Sequence, residues 1–166
     1  MSFLEIITFP NPILRKVAKP VESITDQVVK LSEDMVERMH LARGAGLAAN
    51  QVGVSVRLIV LDPQLKKDSE PIIMLNPSIV ERDSEDIVEE EGCLSVPKYF
   101  DFVKRSRKVL VKGIELSGEP VEIECEGHLA RAFQHEIDHL NGIVFIDHLS
   151  PIKKTLFKKK YLKDAK

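Results

Sequence analysis

The run His135-Glu136-Ile137-Asp138-His139 constrains this chain more than any other five residues in it. On a helix, two histidines four apart share one face, about 6 Å apart along the axis. Asn141-Gly142, directly after Leu140, is a natural helix stop. The spacing therefore predicts a helix from about His128 to Leu140. Such a pair can hold one metal ion, and the carboxylate of Glu136 between them can act on water as a general base. A solvated helix carrying two histidines by chance is the plain alternative, so the remaining ligands decide.

Two familiar metallopeptidase patterns fail downstream. Metzincin spacing runs on to Gly142, but Phe145 stands where the third histidine belongs. The thermolysin-like pattern needs a later glutamate, and no Glu follows Glu136; Asp147 and His148 fall at an offset that suits neither. The third ligand is expected upstream, where the candidates are His40, Cys93, Cys125 and His128. His128 lies about 10 Å along the axis from His135, too far for easy sharing. Cys125 sits in the apolar phase of a strand and reads as a small core residue. Cys93, in Glu91-Gly92-Cys93-Leu94-Ser95-Val96-Pro97, is the preferred choice: Gly92 permits an unusual backbone and Pro97 ends a ladder.

Around this helix the pattern predicts an α+β fold, with antiparallel or mixed β-sheets about a central metal-binding helix and further helices near each end. The length, 166 residues, suits one domain over 1–166 that buries about two thirds of its unfolded surface. Pro10, Pro12 and Pro20 suggest an extended N-terminal arm. Ser23 or Thr25 can cap a helix from about Asp26 to Ala42, with Val28, Leu31, Met35 and Met39 at helical spacing. Strands are expected at Arg57–Leu61, Ile72–Leu75, Ser78–Glu81 and Ile87–Glu91. A hairpin of Lys108–Leu116 and Val121–Glu126 should turn through Ser117-Gly118-Glu119-Pro120. No apolar run approaches the roughly 18 residues of a membrane span. The first residues do not resemble a signal peptide, and two cysteines suit a reducing cytoplasm.

Three segments together are similar to the motifs of the peptide deformylases, in that family's order and spacing. They are Gly44-Ala45-Gly46-Leu47-Ala48-Ala49-Asn50-Gln51, Glu91-Gly92-Cys93-Leu94-Ser95 and Gln134-His135-Glu136-Ile137-Asp138-His139-Leu140-Asn141-Gly142. The resemblance implies hydrolysis of the formyl group from N-formyl-methionine on nascent polypeptides, with release of formate. It implies Cys93, His135 and His139 as ligands of one divalent metal, Fe(II) being favoured over Zn, Ni or Co. Glu136 would be the general acid/base, with Gln51 and the backbone N–H of Leu94 as oxyanion donors. Ala45 and Gly46 would approach the substrate backbone, and Glu91 would support the ligands from behind.

Other implied positions fit less neatly. The stretch His128, Arg131 and Ala132 would line the substrate's methionine pocket, although two of the three are polar. Gly92 and Arg105 would also contact substrate, and Lys104 stands where the family has proline, which would loosen that loop. Glu81 to Glu91 holds seven acids and one Arg, mostly expected as solvated surface. The formal charge of −2 hides a split, because seven Lys and one Asp from Pro151 to Lys166 give the tail +6 and leave −8 on the body. This tail is expected to form a helix with an apolar side of Ile152, Leu156 and Tyr161. The resemblance suggests that its lysines, at 153–166, contact ribosomal RNA near the exit tunnel. No membrane or DNA partner is expected from the acidic body.

Overall fold

A computed structural model describes residues 4–64 and 68–164. Helix α1 runs Asp26–Leu41, and Thr25 rather than Ser23 caps it, its side chain accepting from Val28 N–H. A short strand β1, Gly46–Ala48, follows, and then β2, Leu58–Leu61. Next come β3, Ile72–Arg82, β4, Asp86–Cys93, and β5, Val96–Ser106. Strands β6, Lys108–Ile114, and β7, Pro120–Glu126, form the expected hairpin, with Val111 opposite Ile123. Helix α2 spans Gly127–Leu140, and α3 spans Pro151–Asp164.

Five strands form one sheet in the order β1-β2-β3-β6-β7, and β4 with β5 forms a separate two-stranded sheet. Every pairing between these strands is antiparallel, which resolves the antiparallel-or-mixed expectation. Two expected strands, at 72–75 and 78–81, are one: Asn76-Pro77 sits at a register shift inside β3, where proline has no N–H to give. Strand β5 was not anticipated. Lys104 lies within it opposite Val88, so the stretch expected as a looser loop is paired backbone.

Alternation along β2 explains the layers. Leu58 and Val60 pack with Met35 and Met39 of α1, while Ile59 and Leu61 pack with Phe133, Ile137 and Leu140 of α2. Burial on both faces is why β2 reads as a continuous apolar run. Cys125 belongs to the α2 side of this core, where burial pushes its thiol up to about 11 and leaves it unreactive at neutral pH.

A third cluster joins the arm and α3 to β5 through Phe9, Leu14, Val96, Val103, Phe145 and Phe157. The arm is a strap. Ile7 N–H donates to Gln51 C=O at 2.7 Å, and Phe9 N–H to Ser95 C=O at 2.8 Å. The docking face of α3 matches the expected one only at Tyr161. Phe157 and Tyr161 pack inward, whereas Ile152 and Leu156 are exposed. Lys153 pairs with Asp101, and Lys166 lies outside the described residues.

Candidate metal centre

Three elements bring the centre together. Helix α2 supplies His135 and His139 from one face, and its last turn is tied down where Asn50 Nδ2 donates to His139 C=O at 2.5 Å. The helix stops at Asn141 and then Gly142, whose φ of +76° is the left-handed conformation that glycine adopts freely. The end of β4, paired there with Val96 of β5, supplies Cys93. The short 3₁₀ turn Ala49–Val52, directly after β1, supplies Gln51.

The Nε2 atoms of His135 and His139 are 3.2 Å apart, and Cys93 Sγ lies 3.2 Å from His139 Nε2. One ligand atom from each residue converges, all within 4.8 Å of one another. Two nitrogens on one tetrahedral ion stand about 3.3 Å apart, so the spacing fits a single metal. One thiolate and two imidazoles suit zinc or ferrous iron by softness. Burial, and then the neighbouring His135, hold His139 well below its ordinary pKa, in the neutral form that ligates.

Behind His135 stands a buried charge network. Its Nδ1 meets Glu91 Oε1 at 2.8 Å, which leaves Nε2 for the metal. Glu91 also accepts two bonds from Arg105, at 2.8 and 3.0 Å, and one from Arg131 at 2.6 Å. Burial opposes its ionisation, but the hydrogen bonds from Arg105 and His135 hold its carboxyl well below the usual range. Arg105 Nη1 continues to Asp138 at 2.5 Å, and Asp138 meets His148 at 2.8 Å.

These contacts correct two expectations. Arg105 is 5% exposed and its guanidinium is committed to Glu91 and Asp138, so it is not offered to a substrate. Arg131, expected in the lining of the methionine pocket, turns its charged end into the protein instead. It is buried, donating to Glu91 and to the carbonyls of Val103 and Ile87. Its neighbours differ: His128 is exposed on the first turn of α2, and Ala132 is half-buried against the sheet core.

Glu136 is 5% exposed, and its Oε2 has no hydrogen-bond partner among the described residues. Burial pushes its carboxyl up to about 7. Gly46 is what lets it sit there: a Cβ at that position would lie 2.7 Å from Glu136 Oε1 and 2.8 Å from a methyl of Leu61. Ala45, just before it, is exposed, with its C=O accepting from Asp62 N–H at 2.8 Å. Gln51 is buried, with Oε1 accepting from Ala48 N–H and Nε2 donating to Ser95 Oγ at 3.0 Å and reaching Cys93 Sγ at 3.6 Å. Leu94 lies in the turn beside Cys93, and Gly92 lies under the Phe100 ring. Sequence reasoning passed over Asn50, Ser95 and Asp138; their position inside the three motifs was the available signal.

The polypeptide deformylase family profile matches residues 3–155. A peptide deformylase of Syntrophobacter fumaroxidans is 51% identical over 168 residues, covering 100% of this chain and 98% of that protein. The crystal structure of a peptide deformylase from Legionella pneumophila superposes with a TM-score of 0.90 at 46% identity, covering 97% of this chain and 94% of that one. The Ehrlichia chaffeensis enzyme in complex with actinonin gives 0.91 at 41% identity, over 99% and 98% of the two chains. Sequence and fold agree along nearly the whole length, and the chain belongs to the polypeptide deformylase family.

Proposed function

We propose that this chain removes the formyl group from N-formyl-methionine at the start of nascent polypeptides, with Glu136 as the proton carrier. The observation that carries the assignment is Glu136 Oε2, buried with no hydrogen-bond partner among the described residues, beside the converging Cys93, His135 and His139. Cys93, His135 and His139 would hold a divalent ion, which would supply a Lewis acid and lower the pKa of water toward neutrality. Glu136 takes the proton from water as it attacks the formyl carbon. It then hands a proton to the amine as the C–N bond breaks, leaving formate and a free N-terminus.

The negative charge that develops on the formyl oxygen would be met by Gln51 Nε2, whose amide is already held by Ala48 and Ser95, and by the Leu94 N–H. Strand β1 is at the edge of its sheet. Ala45 and Gly46 therefore have a free edge along which an extended peptide can add as a further strand. Gly92 would lie along its path, and the methionine side chain would run beside the first turns of α2, against Ala132 and near His128. Among the metals the donor set accepts, Fe(II) is favoured, with Zn, Ni and Co as alternatives. The chain would act in the cytoplasm; no helix among the described residues is long and apolar enough to cross a membrane. The lysines of α3 would meet ribosomal RNA near the exit tunnel.

The test is turnover of formyl-Met-Ala beside its N-acetyl analogue, using anaerobically purified protein. Hydrolysis of the formyl peptide alone supports the assignment. Equal hydrolysis of both would make the chain a general amidase.

A further inference from the structure

The two donors assigned above come from different sheets. Gln51 follows β1 in the five-stranded sheet, and Leu94 sits in the β4–β5 turn. An oxyanion site assembled across such a seam works only if the two sides keep register. Ser95 touches both. It is covalently next to Leu94, wholly buried, and its Oγ accepts from Gln51 Nε2 at 3.0 Å.

The orientation of the Gln51 amide follows from its partners. Ala48 N–H can only donate, so the atom facing it at 2.9 Å must be the carbonyl oxygen, and the NH₂ end must face Ser95 and Cys93. Of the two amide protons, Ser95 takes one; the other is left on the Cys93 side, where the reacting oxygen would sit. The arm backs the same joint, with Ile7 bound to Gln51 C=O and Phe9 to Ser95 C=O.

We propose that Ser95 is a positioning residue that locks the Gln51 carboxamide and the Leu94 turn into one preorganised donor pair. The proposal rests on the donor roles given to Gln51 and Leu94. Removing a whole donor of this kind slows turnover by about 10²–10³. Loosening one should cost less, on the order of tenfold in kcat, with KM within about twofold.

A double-mutant cycle on formyl-Met-Ala tests it, with metal content measured for each protein. Ser95→Ala should lower kcat about tenfold at unchanged metal content, yet slow Gln51→Ala by less than about twofold, because the residue it positions is gone. In ¹⁵N-labelled protein, the Gln51 side-chain amide protons should exchange with solvent faster in Ser95→Ala than in wild type. Gln51→Ala turning over at the wild-type rate would overturn the donor role and this proposal with it. A slow Gln51→Ala that Ser95→Ala slows further by the same factor as wild type would overturn the role of Ser95 alone. Unchanged amide exchange in Ser95→Ala would do the same.

Discussion

On the side of α2 that lies on the five-stranded sheet are Ala130, Phe133, Ile137 and Leu140; on the side toward β4 and β5 are Arg131, Gln134, His135 and Asp138. The first contact is dispersion and apolar burial, which stabilises without fixing direction. The second is a set of hydrogen bonds with defined angles, and it includes Gln134 bonded to both the N–H and C=O of Ser106. One helix is thus anchored by an apolar face and aimed by a polar one. Buried ion networks of this kind add little net stability over an apolar replacement, but losing one partner is expensive. What the polar side contributes is the orientation of His135.

Substitutions on the two sides should therefore fail differently. Phe133→Ala, at a wholly buried position, should lower unfolding free energy by about 3–5 kcal/mol in urea titrations. It should leave metal affinity of the folded protein near wild type. Arg105→Ala removes the guanidinium shared by two buried carboxylates, leaving Glu91 to Arg131 and His135 and Asp138 to His148. It should cost a similar 3–5 kcal/mol or so, but with weaker metal binding as well. Identical metal affinity in the two variants would erase the distinction.

Glu91→Gln keeps the shape and removes the charge that orients His135. Metal affinity should fall about 10- to 100-fold by competition with a chelator. The same carboxylate sets acid stability. Its folded pKa lies below the ordinary value of 4.5, so its contribution is complete above that value and is lost as pH falls further. Stability should begin to decline below about pH 4.5, and Glu91→Gln should flatten the slope there. Arg107, two residues beyond Arg105, also meets three acids, Asp83, Glu85 and Glu126, but at 37% side-chain exposure. Arg107→Ala should shift stability by less than about 1 kcal/mol, and added salt should shrink even that.

Local patterns carried much of this into the sequence. The 3.6-residue period and Asn141-Gly142 placed α2, and the failure of both downstream ligand patterns pointed upstream, where Cys93 was the preferred choice. Strand β1 was too short for a period to register, and Pro97 with scattered charge disguised β5. Arg131 was misplaced because its partner Glu91 is 40 residues away, and only the fold shows that a buried carboxylate waits there. The docking face of α3 was misread, except at Tyr161, for the same reason. Ile152 and Leu156 share a helical spacing, but the aromatic pocket of Phe9, Tyr99 and Phe145 selects Phe157.

The central claim is a division of labour in which Cys93, His135 and His139 hold the metal and Glu136 moves the proton. Metal content and formyl-Met-Ala turnover, measured together on anaerobically purified wild type and Glu136→Ala, test it most directly. The account predicts one metal per chain in both proteins and a loss of turnover of about 10²–10⁴ in the variant. Turnover equal to wild type at full metal content would contradict it.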